Sequence, residues 1–316
     1  MDVFPGHRRL TRALRAPAVA IGTFDGVHRG HRELVARARA AAARLGGEAI
    51  VLTFDPHPAT VVAPERAPRL LSSTARKLEL LAAAGADAAV VEPFDPALAA
   101  LEPRAFAETI LAGALGARHV VVGYDFRFGH GRAGSTDTLG ELGGELGFTV
   151  EVVEPVAVDG TVASSSRIRA LIEAGELAGA RALLGRDPEI EGAVVRGAGR
   201  GRGIGVPTAN LAIEAGVVPP LGIYAVWVAL AGERLAGAAS VGTNPTFDDS
   251  GRTSIEVHLL DFDRDCYGER MRVDFVERLR GELRFPGAAE LVEQIRRDIA
   301  DTRRILGARS APGADR

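Results

Sequence analysis

Two histidines three positions apart, His28 and His31, lie in the stretch "GTFDGVHRGH" at residues 22–31. Imidazole titrates near neutrality and can donate or accept a hydrogen bond. Residues three apart share one face of a helical turn, so both rings can be aimed at one anion. A helix starting near Gly30 would add its free N–H groups and partial positive charge, which suit phosphate. Gly26 lets the backbone approach a ligand closely. A lone histidine is more often a surface group. This pair follows a short apolar run, "PAVAIGTF", and that placement favours phosphate chemistry.

The elements that must position the pair can be read from the apolar pattern. "AVAIGTF", "EAIVLTF", "DAAVVEPF", "HVVVGYDF" and "FTVEVV" are near-continuous apolar runs, and helical patterns fall at about 30–45, 73–85, 103–116 and 135–147. Such alternation predicts an α/β domain with a parallel sheet covered on both faces. The first strand is expected to end near Phe24. Ligands of such sheets bind at the carboxyl ends of the strands.

The pattern changes near residue 187. "EIEGAVVRG", "GIYAVWVALAG", "ERLAGAASVG", "TSIEVHLLDF" and "RMRVDFVERLR" alternate and are punctuated by glycine, which predicts an antiparallel sheet or small barrel. A final helix carries Leu291, Val292, Ile295 and Ile299 on one face, the side that would pack on the barrel. "LLGRDPEIEG" reads as a linker. The expected organisation is 1–186, 187–308 and a disordered tail at 309–316.

Composition sets limits. The chain has 316 residues, enough for two domains, with 47% apolar and 25% charged residues. A net charge of -3 implies no general attraction to nucleic acid or anionic membranes. No apolar run reaches the roughly 20 residues needed to cross a bilayer. The N-terminal stretch lacks the apolar core of a signal peptide. The single cysteine, Cys266, rules out an intramolecular disulfide and suits a reducing cytoplasm.

Other stretches are ambiguous on their own. "SSSRIR" (164–169) reads as an ordinary helix cap, with Ser164, Ser165 and Ser166 offering hydroxyls and Arg169 a fixed guanidinium fork for phosphate. "PTAN" (207–210) reads as a turn. "GAGRGRGIG" (197–205) is followed by "VPTANL" rather than a helix, so it is not a dinucleotide fingerprint, and it is too short for an RNA-binding segment. In "SIEVHLL", alternation places Glu256 and His258 opposite Ile255 and Val257.

Taken in order, these stretches resemble one family. "GTFDGVHRGH" is similar to the H-x-G-H signature of the nucleotidylyltransferases, and in its longer form to the bacterial bifunctional riboflavin kinase/FMN adenylyltransferases. "TFDPHP" (53–58), "VGYDFRFGHGRAG" (122–134) and "SSSRIR" resemble the family's first half, and "GAGRGRGIGVPTAN", "PPLGIYA", "SVGTNPTF" and "IEVHLLDF" its second. Ser240 and Val241 depart from the Asn-Ile-Gly of many relatives.

The resemblance implies a Rossmann-like nucleotidylyltransferase domain followed by a six-stranded antiparallel β-barrel kinase domain with a C-terminal helix. It implies catalytic roles for His28, His31, Arg169 and Glu256. Gly22, Phe24, Asp25, Gly26, Phe54, His57, Asp125, Phe126, Phe128, Ser164, Ser165 and Ser166 would line the flavin and nucleotide pocket. Gly197, Gly199, Gly203 and Pro207 would form a flap over nucleotide phosphates, and Thr208 and Asn210 would bind Mg²⁺. The expected substrates are riboflavin, FMN and ATP, with no nucleic acid or membrane partner and a homo-oligomer left open. The competing readings are a different H-x-G-H transferase with an unrelated appended domain, and a non-catalytic flavin-binding protein.

Overall fold

The computed structural model describes residues 1–197, 205–243 and 253–308. Packing divides the chain into two units: Met1–Pro68 with Thr74–Ser164, and Arg69–Ser73 with Ser165–Arg316.

The first unit is built on a six-stranded sheet. Its strands are β1 (Asp2–Phe4), β2 (Ala18–Ile21), β3 (Ala49–Asp55), β4 (Ala88–Pro93), β5 (His119–Gly123) and β6 (Thr149–Val153), in the order β1-β4-β3-β2-β5-β6. Every pair is parallel. Successive side chains of a strand point to opposite faces, and here they enter two cores. Val19 and Ile21 of β2, with Ile50 and Leu52 of β3, join one cluster, whereas Ala18, Ala20, Ala49 and Val51 join the other. The second cluster includes Val35, Ala38, Ala41 and Ala42 of helix α1 (Arg29–Leu45). Small side chains on both elements let helix and sheet approach closely. Connecting helices are α2 (Pro58–Val62), α3 (Thr74–Ala83), α4 (Pro96–Ala99), α5 (Pro103–Phe106, continuing as a π-helix over Ala107–Ala114) and α6 (Thr136–Leu146). A small hairpin, β7 (Ala157–Val158) and β8 (Thr161–Val162), turns at Asp159 and Gly160.

In the second unit, helices α7 (Ser165–Glu173) and α8 (Leu177–Leu184) precede a closed barrel. Its strands are β9 (Glu189–Val195), β10 (Ala209–Gly216), β11 (Gly222–Leu230), β12 (Glu233–Thr243), β13 (Thr253–Leu259) and β14 (Arg270–Arg280). They close in the order β10-β13-β12-β11-β14-β9, all antiparallel. Tyr224, Val226, Val228, Val257, Val273 and Phe275 are among the side chains of its core. Helix α9 (Ala288–Ala308) lies against the barrel through Ile305 and Leu306, which meet Ala225 and Val276. Arg280 at the end of β14 is bonded to the buried Asp298 of α9, with Nη2–Oδ2 at 2.7 Å.

The α/β-then-barrel expectation holds, with local differences. The first strand stops at Ile21 because Phe24 and Val27 take left-handed backbone, φ 52° and 40°. β1 is too short to give an apolar run. β10, whose start was read as a turn, is a full barrel strand. The expected stripe on α9 is only half-buried, and the deeper contacts come from Ile305 and Leu306, about two turns beyond Ile299.

Candidate functional site

The central strand β2 has β3 on one side and β5 on the other. That is where strand order reverses, and crevices for ligands form at the carboxyl ends of such strands. Residues 22–28 leave β2 there. Phe24 is 0% exposed and anchors the loop in the core. Gly26 (φ 78°) completes the turn.

His28 is the N-cap of α1, and its Nδ1 accepts from the His31 backbone N–H at 3.4 Å. That bond places the neutral ring's proton on Nε2. The two imidazoles stack with centroids 3.7 Å apart and planes at 21°, and Phe24 backs His31 at 5.1 Å. Gly30 lies close against the His28 ring: a Cβ there would stand 3.1 Å from His28 Cε1. Burial, then the like charge His28 would carry if protonated and the Lys77 ammonium, push the His31 imidazole well below its usual range, so His31 is a neutral ring. Its Nδ1 is buried and has no hydrogen-bond partner among the described residues. The expected convergence of both rings at one helix N-terminus is present.

Phe54 lies at the end of β3, and His57 follows in the turn after it. Phe54 is half-buried and meets Phe94 edge-on at 5.7 Å. His57 caps α2, its Nδ1 accepting from Ala59 N at 3.2 Å, so that nitrogen serves the backbone. The loop after β5 presents Asp125, exposed, and Phe126, half-buried. Phe128 is 6% exposed, with Phe106 at 5.7 Å and Phe126 stacked at 5.6 Å.

Within the second unit, Ser165 and Ser166 open α7. Arg169 lies one turn further on, and its Nε donates to the Arg69 carbonyl at 2.7 Å. Ser164 closes the first unit. These four residues are thus placed around the start of one helix.

The barrel holds a separate group. Thr208 Oγ1 donates to Glu256 Oε2 at 3.0 Å. Asn210 of β10 stands opposite Glu256 of β13 in the strand register. Gly197 abuts the Asn210 amide, and a side chain there would displace it. His258 Nδ1 donates to the Pro207 carbonyl at 2.8 Å, holding the turn that carries Thr208. Gly199 and Gly203 lie outside the described residues. A hydroxyl, an amide and a carboxylate at one barrel edge form an all-oxygen donor set, the kind a hard divalent cation accepts together with phosphate.

One buried cation was missed from sequence: Lys77 of α3. "STARKLELL" looks like a solvated helix face, yet Lys77 shares a face with Leu80 and Leu81. That position on the apolar stripe was the available signal.

Comparisons with known proteins agree with both halves. A family model described as FAD synthetase matches residues 10–167, and one described as riboflavin kinase matches residues 184–306. A bifunctional riboflavin kinase/FMN adenylyltransferase from Pseudomonas fluorescens is 38% identical over 316 residues, covering 100% of both chains. Its counterpart from Listeria monocytogenes is 39% identical over 288 residues, covering 90% of this chain and 91% of the other. A solved structure described as a macrolide-efflux protein from Streptococcus pneumoniae matches with TM-score 0.84 and 30% identity, over 96% of this chain and 99% of that one. Among the described residues of this chain, no helix is long and apolar enough to cross a membrane. The chain belongs to the bifunctional riboflavin kinase/FMN adenylyltransferase family.

Proposed function

We propose that this chain makes FAD from riboflavin in two ATP-dependent steps. The barrel phosphorylates riboflavin to FMN, and the parallel-sheet unit transfers AMP from ATP to FMN with release of pyrophosphate. The observation that carries this reading is the presence in one chain of two distinct clusters. His28 and His31 lie within the segment matched to FAD synthetase, and Thr208, Asn210 and Glu256 within the segment matched to riboflavin kinase.

The first step needs a proton acceptor, because the riboflavin hydroxyl is neutral. Glu256 takes that proton as the hydroxyl oxygen attacks the terminal phosphorus of ATP and ADP leaves. Thr208 and Asn210 are the proposed protein ligands of Mg²⁺, which when bound neutralises phosphate charge. Gly197, Gly199, Gly203 and Pro207 belong to the proposed flap over the nucleotide.

The second step starts from an anionic nucleophile and needs no strong base. An oxygen of the FMN phosphate attacks the α-phosphorus of ATP, and pyrophosphate departs. Positioning and fixed donors dominate such a step. His28 at the helix N-terminus and the neutral His31 supply hydrogen bonds without adding a mobile proton. Ser164, Ser165, Ser166 and Arg169 are proposed as further phosphate ligands. Gly22, Asp25, Gly26, Phe54, His57, Asp125 and Phe126 are the proposed lining of the flavin and nucleotide pocket.

Incubating the protein with riboflavin, ATP and Mg²⁺, then separating the flavins by chromatography, tests this. Both FMN and FAD are expected, and chelation of Mg²⁺ should stop both. FMN alone would remove the second activity; neither product would overturn the reading.

A further inference from the structure

Lys77 is 7% exposed, and its ammonium is surrounded by protein. Nζ donates to the Thr23 carbonyl at 3.3 Å, to Thr53 Oγ1 at 3.2 Å and to the Phe54 carbonyl at 3.1 Å. An ammonium has three N–H donors, so all are used on protein. Thr53, fully buried, also donates its hydroxyl to the Thr23 carbonyl at 3.1 Å. Gly22 N still bonds Leu52 O at 3.2 Å between the two central strands. Past that rung the chain turns into the left-handed Phe24, and side chains take over the Thr23 carbonyl. Hiding an ammonium is costly, and a methionine of similar length would fill the space without that cost. The carbonyls that converge on the cation come from the loop after β2 and from the end of β3.

We propose that Lys77 is a positioning residue for FMN adenylylation: its ammonium ties the loop leaving β2 to the last residues of β3, and so fixes where His28 and His57 stand. This rests on the reading of residues 22–31 as the adenylylation site. Lys77 reaches no substrate itself; it acts through the Thr23 and Phe54 carbonyls. Asp25 and Asp55 are the acidic groups facing it, but burial outweighs them and lowers its pKa. Lys77 and His28 are the cationic or titratable groups facing His31.

The test uses the full chain, with FMN and ATP as substrates. Lys77→Met is expected to lose about 100-fold in kcat/KM for FAD synthesis, the scale of an ångström-sized misplacement. Thr53→Val, nearly isosteric, is expected to lose less. The double variant should be no worse than Lys77→Met, because both side chains act on the Thr23 carbonyl. The acidic limb of the pH profile should move up in Lys77→Met, where a cation facing His31 is gone, and stay in place in Thr53→Val. A purely structural residue would not move that limb. A Lys77→Met rate within about threefold of the parent overturns the proposal, as do additive losses with an unmoved limb. If Lys77→Met does not melt cooperatively, Thr53→Val decides, and a parental rate in that variant overturns the proposal. His28→Ala is run alongside. Retained FAD synthesis there would reject the site reading itself. Its loss beside a fully active Lys77→Met would reject only the role of Lys77.

Discussion

The Thr208 hydroxyl donates to the Glu256 carboxylate at 3.0 Å, across the junction of β10 and β13. The bond joins a proposed metal ligand to the proposed proton acceptor. Substitution at either position therefore disturbs the other, and the cleanest probe is the one that keeps shape. Glu256→Gln should leave strand pairing intact and cut riboflavin phosphorylation by about 100- to 10,000-fold. FMN supplied directly should become FAD at an unchanged rate. Flavin chromatography on each substrate separates the two outcomes, and normal phosphorylation would remove Glu256 from the mechanism.

Gly30→Ala offers a finer test of the histidine pair. The added methyl would stand 3.1 Å from His28 Cε1, so the ring must shift. FAD synthesis should fall by roughly 10-fold, against about 100- to 1,000-fold for His28→Ala, which deletes the donor. Riboflavin phosphorylation should be untouched in both. A Gly30→Ala rate equal to the parent's would mean that the stacked geometry is not needed.

Acid should weaken the first unit through His31. Its imidazole stays neutral in the folded chain, held down by burial, by the like charge His28 would carry if protonated and by the Lys77 ammonium. Below about pH 6.5 the unfolded chain binds more protons than the folded one, so stability falls as pH falls. The slope from this group is at most about 1.4 kcal/mol per pH unit, and the contribution is constant well above pH 6.5. Urea midpoints at pH 7.5 and 5.5 should separate more for the parent than for His31→Gln. Equal separations would exclude a depressed His31.

Leu177 of α8 is part of the barrel's core cluster. A fragment beginning at Asp187 loses that side chain, while one beginning at Ser165 keeps it. Both are expected to phosphorylate riboflavin without making FAD. The longer should melt at higher temperature, by an amount that reflects loss of a buried leucine, about 2–5 kcal/mol. Identical melts would show that α7 and α8 contribute nothing to the barrel's stability.

Much of this was legible because strong patterns left traces in the chain. β2 is apolar at every position and β3 from Ala49 to Leu52, as strands covered on two faces tend to be. The histidine spacing and the glycine between them are local, so they survive without knowledge of the fold. What was not legible depends on distant partners. β1 has only three residues, and its pairing with Ala88–Val90 of β4 makes it a strand. β10 is rich in alanine, and barrel closure, not propensity, makes it extended. The burial of Phe24 and Phe128 was not legible either, because an aromatic beside a motif does not reveal which way it points. Lys77 reads as a surface residue until the carbonyls of Thr23 and Phe54 are seen around it.

Residues Arg69–Ser73 sit early in the sequence yet belong to the second unit, where Leu70 O accepts from Gly216 N at 3.1 Å and Ser73 Oγ donates to Glu191 at 2.6 Å. The consequence falls on the ribosome. All strands of the parallel sheet have been made by Val153, whereas β9 waits for Arg270–Asp274 before it gains β14 as a neighbour. Ser73 precedes its Glu191 partner by 118 residues, roughly 6–24 s at bacterial elongation speeds. The nascent chain therefore emerges carrying a short segment whose docking place does not yet exist, and the first unit must fold around it without consuming it.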